Sequence, residues 1–146
     1  MKRFLILLAL VCAWAALPAQ SIREVKELFG DFATKNANTT ETIISGKALE
    51  NTGLSFYRSL VISGAPEKAD AITRRIGRLD NDALSREVKY INGKIYYAMF
   101  TLQPEGRDRD NHYLFYLNSH LKGDDRIILI YISGTRNVIE INDLLK

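Results

Sequence analysis

From Ile127 to Ile132 the chain runs through six large apolar or aromatic side chains without a break (Ile127, Ile128, Leu129, Ile130, Tyr131, Ile132). A strand with one wet face alternates, so an unbroken run predicts a strand covered on both sides. Ile95 to Leu102, with Tyr96, Tyr97, Met99 and Phe100, has the same character. Shorter β-rich runs predict strands over Glu41–Ser45, Leu54–Ser63 and His112–Leu117. Arg86–Ile91 leads into Asn92-Gly93 and back along Lys94–Leu102. Asn-Gly suits a type I′ turn, whose two central residues both need positive φ, so these runs predict a hairpin.

Elsewhere the apolar positions recur at intervals of three and four. Ile22, Val25, Leu28, Phe29 and Phe32 predict a helix over Ile22–Lys35, with Ser21 and Glu24 at capping-box spacing. Ala69, Ile72, Ile76 and Leu79 predict a second, with Pro66 as its first helical residue. Its other side carries Lys68, Arg74, Arg75 and Arg78; Glu67 and Asp70 among them make this a solvated, partly paired face rather than an anion site. Val138, Ile141 and Leu145 predict a short closing helix behind an Asn137/Glu140 capping box. Lys47–Asn51 has room for one helical turn. Ile-Ser-Gly recurs at Ile44, Ile62 and Ile132, each time ending an apolar run, and reads as a way of leaving a strand. Gly134 is where the backbone turns after the central strand. The sum is an α+β fold: a single, mostly antiparallel sheet of about six strands, with the N-terminal, Pro66 and C-terminal helices packed against it.

Residues 1–19 read as a separate object. Lys2 and Arg3 precede a charge-free apolar run from Phe4 to Ala16, and Leu17-Pro18-Ala19 closes it. This is the pattern of a secretory signal peptide, with cleavage expected after Ala19. The run is short of the roughly 20 apolar residues that span a bilayer. Val11 is too bulky for Cys12 to be a lipid-attachment site. Residues 20–146 then suit one globular domain. Setting Lys2 and Arg3 aside leaves 18 basic against 17 acidic residues, a net charge of +1 in place of +3, so nothing electrostatic recommends a nucleic-acid partner. The one cysteine, Cys12, lies in the signal, so residues 20–146 have no thiol or disulfide chemistry.

Chemistry-bearing residues are sparse. Asp108, Asp110 and His112 alternate and could face one way in an extended segment, as zinc ligands or an acid–base set would. Arg107 and Arg109 interleave with them, and no second histidine, nucleophile or calcium-loop spacing accompanies them. The expectation is a solvated hairpin loop, with no catalytic, cofactor-binding or metal-binding residue. His120 reads as a surface residue. Seven tyrosines, most of them on strands, read as sheet packing with wet hydroxyls at its rim. No Gly-rich phosphate cradle, nucleophile elbow or zinc spacing is present.

Ser45-Gly46-Lys47-Ala48-Leu49, Tyr57-Arg58-Ser59-Leu60 and Ile130 to Gly134 with its capped helix carry a resemblance. From Phe29 to Lys146 the chain resembles small exported proteins of Bacteroidota classed as domains of unknown function. The resemblance implies export and a fold of this kind. For some relatives, encoded beside sigma-factor and anti-sigma genes, it implies a part in envelope signalling. It assigns no functional residues. The expected function is an exported, non-enzymatic interaction or accessory domain of the periplasm or cell envelope, acting on an envelope protein, with no integral membrane segment once the signal is removed. The alternatives are a small module binding an apolar molecule, and a small hydrolase using His112.

Overall fold

A computed structural model describes residues 20–33 and 38–145, so the signal-peptide and Cys12 readings, and the end of the first predicted helix, lie outside the described residues. In chain order the elements are α1 (Gln20–Phe32), β1 (Thr39–Ser45), a 3-10 turn (Gly46–Leu49), β2 (Leu54–Ser63), α2 (Lys68–Gly77), β3 (Ser85–Ile91), β4 (Lys94–Leu102), β5 (Asn111–Asn118), a second 3-10 turn (Ser119–Lys122), β6 (Arg126–Gly134) and α3 (Val138–Leu144). The strands form one six-stranded sheet in the order β1-β2-β6-β5-β4-β3, and every neighbouring pair is antiparallel. The α+β architecture expected from the hydrophobic pattern is the one observed.

The unbroken run of β6 has its reason in this order. β6 sits between β2 and β5, and its side chains divide between two cores. Ile127, Leu129 and Tyr131 face the larger core, which α1 and α2 close with Val25, Leu28, Phe29, Ile72 and Ile76. Ile132 and Ile130 face the smaller one, which α3 closes with Ile141 and Val138. α3 is short and covers only part of that face, so Val61, Leu117 and Ile128 remain half-buried. The Asn92-Gly93 turn has φ of 51° and 77°, the two left-handed positions a type I′ hairpin requires. Among the described residues no helix is long and apolar enough to cross a membrane.

Four local expectations change. Pro66 is not the first helical residue: it lies in a turn in which Lys68 and Ala69 N–H groups bond the Ala65 and Pro66 carbonyls, and the helix begins at Lys68. The Ser21/Glu24 capping box does not form, because the helix already runs through Ser21, which is buried with its hydroxyl unpartnered. At α3 the Asn137 side chain does accept from the Glu140 N–H at 3.0 Å, but the Glu140 carboxylate reaches the Asn137 side-chain amide, also at 3.0 Å, rather than its backbone. Gly134 is needed for closeness, not for a turn: an added Cβ would stand 2.3 Å from the Gly53 carbonyl oxygen and 2.7 Å from Leu54 Cα, where the β2–β6 register shifts.

Candidate functional site

In the β5–β6 register His112 stands opposite Ser133, and Tyr131 opposite Leu114. Tyr131 and Ser133 alternate onto one face of β6, so His112 and Tyr131 are diagonal neighbours on the face that carries α1. Their rings lie nearly parallel, with centroids 6.0 Å apart and planes 16° apart. His112 Nδ1 is 2.6 Å from the Tyr131 hydroxyl, and Nε2 is 2.6 Å from Asp108 Oδ2. A carboxylate on the loop before β5, an imidazole on β5 and a phenol on β6 thus form one continuous chain. With a neutral imidazole, the assignment that satisfies both bonds has Tyr131 donating to Nδ1 and Nε2–H donating to Asp108.

The two ends of this chain are held in opposite ways. The Asp110 N–H donates to Asp108 Oδ1 at 2.9 Å. That bond is the main reason the Asp108 carboxyl is held below its ordinary range; partial desolvation opposes it and His112 adds to it. Burial, reinforced by the charges of Asp108 and Glu105, pushes the Tyr131 phenol up to about 12. Asp108 therefore stays an anion, and Tyr131 stays a donor, across the physiological range.

Tyr131 opens onto a cavity of about 370 Å³ beneath α1. Val25, Lys26 and Phe29 of α1, Phe56 and Arg58 of β2, and Tyr131 and Ser133 of β6 line it. The apolar part comes from Val25, Phe29 and Phe56, the last with its ring centroid 5.9 Å from that of Tyr131. Arg58 lies with Cζ 5.1 Å over the Phe29 ring, and its Nη2 and Nε donate to Glu41 Oε2 at 2.9 and 3.1 Å. Glu41 balances that guanidinium. Lys26 makes no ion pair among the described residues, so it carries the uncompensated charge of the lining.

Of Asp108, Asp110 and His112, only two side chains are brought together, and the solvated-loop expectation fails for His112, which is 5% exposed. Asp108 and His112 join; Asp110 contributes its backbone N–H to Asp108. Arg107 and Arg109 are exposed and, among the described residues, form no ion pair with either acid. Among the described residues no group of three His, Cys, Asp or Glu side chains is placed to hold a metal ion. His120 is not a surface residue either: its side chain is 15% exposed and its Nε2 is buried without a partner. The three Ser-Gly steps do not gather, since Ser45 and Ser133 both pair with Phe56 at one end of the sheet while Ser63 pairs with Arg126 at the other. Sequence reasoning missed Tyr131, Phe56 and Arg58. Tyr131 did leave a trace, as the one hydroxyl in an otherwise aliphatic central run, where a buried phenol needs a partner.

No curated protein and no solved structure matches the chain. A family model matches residues 12–145, which include every strand and the whole relay from Asp108 to Tyr131. The chain belongs to the Family of unknown function (DUF6108).

Proposed function

We propose that this is an exported, non-catalytic accessory domain of the bacterial cell envelope that binds a small apolar molecule bearing an anionic group. The observation that carries the reading is the cavity under α1, which combines Val25, Phe29 and Phe56 with the Lys26 ammonium. Its volume of about 370 Å³ falls within the roughly 300–1,000 Å³ of small-molecule clefts. A carboxylate or sulfonate would meet the Lys26 ammonium, and a hydrocarbon or aromatic body would fill the apolar part. Export is supported by Lys2, Arg3 and the apolar run that follows.

Decanoate and decan-1-ol test the ligand reading by calorimetric titration into protein beginning at Gln20. Saturable decanoate binding, weaker binding of the uncharged alcohol, and loss of that preference in Lys26→Glu are expected. Absence of saturable decanoate binding overturns the ligand class. N-terminal sequencing of the protein from its native host tests export; a chain starting at Gln20 is expected, and intact Met1 in washed membranes overturns it.

The Asp108–His112 contact favours a second, catalytic reading in which Tyr131 passes a proton to a substrate in the cavity. Two features weigh against it. Both imidazole nitrogens are already engaged, and burial makes Tyr131 a reluctant proton donor near neutral pH. Ester hydrolysis that disappears in Tyr131→Phe would promote it.

A further inference from the structure

The two edges of the sheet are built differently. β3 carries Arg86, Glu87 and Lys89, and its pairing with β4 shifts register between Lys89 and Tyr90. Charged side chains and irregular register are what keep an edge strand from recruiting another. β1, the opposite edge, reads Thr-Thr-Glu-Thr-Ile-Ile-Ser and pairs with β2 in one unbroken register. Its single charge, Glu41, is held inward by Arg58 at 2.9 Å. Ile43 is 53% exposed. β1 has no proline, lysine or bulge to blunt it.

The direction of its free backbone groups follows from one hydrogen bond. The Ser63 N–H donates to the Asn38 carbonyl at 2.8 Å. In an antiparallel ladder such a bond joins directly opposite residues, and bonded pairs alternate with unbonded ones. Thr40, Thr42 and Ile44 therefore turn their backbone groups toward β2. Thr39, Glu41, Ile43 and Ser45 turn theirs outward, away from the sheet.

We propose that β1 pairs antiparallel with β1 of a second copy of this chain, about a two-fold axis at Thr42, joining the two sheets into one. This register uses the whole strand. Thr39 meets Ser45 of the other copy, Thr40 meets Ile44, Glu41 meets Ile43, and Thr42 meets its own counterpart. All four outward-facing residues fall in hydrogen-bonded pairs, and no like charges stand opposite each other. The facing pairs are Thr with Thr, Thr with Ser, Thr with Ile, and Ile with the aliphatic stem of Glu, all β-formers or side chains that can lie along them. The contact is isologous, so it closes at two copies, and the charged, irregular β3 edge does not extend it. The axis stands perpendicular to the sheet and keeps both α1-bearing faces on one side. The inference is independent of what the cavity binds.

Protein beginning at Gln20 contains every described element and, without Cys12, no cysteine. Light scattering during size exclusion should give a dimer at concentrations on the order of 100 μM. Thr42→Cys should cross-link under mild oxidation, because the two Thr42 positions form a non-hydrogen-bonded pair with Cα atoms about 4.5 Å apart, inside disulfide range. Ile43→Glu sets a second carboxylate opposite Glu41 twice per dimer and should weaken association about tenfold or more. Ile43→Lys sets an ammonium there and should leave the dimer as tight or tighter. Both changes fall at an exposed position, and unchanged circular dichroism checks that the monomer fold is kept. A monomer, a dimer whose Thr42→Cys variant does not cross-link, or equal affinities for the two Ile43 variants overturns the proposal.

Discussion

The Tyr131 hydroxyl stands 2.6 Å from His112 Nδ1, although 19 residues separate the two in sequence. The contact fixes the imidazole from one side while Asp108 fixes it from the other. A buried ring with both nitrogens engaged is a structural commitment, because removing Tyr131 strands Nδ1 in a place water does not reach readily.

Tyr131→Phe removes one acceptor–donor pair and leaves Nδ1 unpartnered in the core. It should cost about 1–3 kcal/mol, the desolvation penalty of a buried polar group left unsatisfied, read from urea unfolding. His112→Ala should destabilise by a similar amount or more, since it empties a buried position and strands the Tyr131 hydroxyl. The solvated-loop reading of the sequence expects no change for His112→Ala, so this variant separates the two views. Asp108→Asn should be milder, because Asp108 is partly exposed and its water can be recovered.

The pH dependence should have two limbs of opposite origin. Asp108 is held below its ordinary value, so the unfolded chain takes up its proton first as pH falls; this contribution is present at neutral pH and is lost on acidification through the folded-state value. Tyr131 is pushed up to about 12, so the unfolded chain releases its proton first as pH rises. Its contribution is intact below about 10, the ordinary tyrosine value, and is lost as pH climbs towards 12. Tyr97, Tyr113 and Tyr116 are raised in the same direction by burial and steepen that limb. Urea midpoints measured across pH should show Asp108→Asn flattening the acid limb and Tyr131→Phe reducing the alkaline one.

α3 buries one side chain fully. Ile141 is enclosed and Val138 is half-buried, while Ile139, Leu144 and Leu145 are exposed. The helical spacing alone expects three or four apolar side chains to be lost on deleting Val138 to Lys146. The observed packing concentrates the effect on one. Ile141→Ala should cost about 2–5 kcal/mol, the range for a buried Ile truncation, whereas Leu145→Ala should stay within about 0.5 kcal/mol, as exposed substitutions do. Thermal melts of the two variants compare them directly.

Gly134→Ala tests the close approach of β6 to the start of β2. The atoms a methyl group would meet are the Gly53 carbonyl oxygen and Leu54 Cα, neither of which can swing aside as a side chain can. Overpacking of this kind costs about 1–3 kcal/mol and sometimes more. Loss of the β2–β6 register at this end should also loosen Phe56, and with it the cavity. A variant melting like the unmodified protein would show that the strands separate here at little cost.

What the residues alone determine is local. The runs of β2 and β4, the Asn92-Gly93 hairpin and the Asn137–Glu140 cap were legible because each depends on residues within a few positions of one another, and backbone geometry over that distance is set by periodicity, positive φ and side-chain reach. The unbroken Ile127–Ile132 run even declared that its strand would be interior. Which strands flank it was not written there. β6 pairs with β2, far back along the chain, in the register that sets Tyr57 against Ile132 and Arg58 against Tyr131. That pairing carries no local signature, and it alone brings Arg58 and Phe56 beside Tyr131. The Asp108–His112 approach needed a loop folding back on its own strand, which alternation in an extended segment could suggest but not decide. The edge character of β1 divides the same way: its single charge, Glu41, was visible in the residues, but only the strand order left it, among the described residues, at an edge of the sheet.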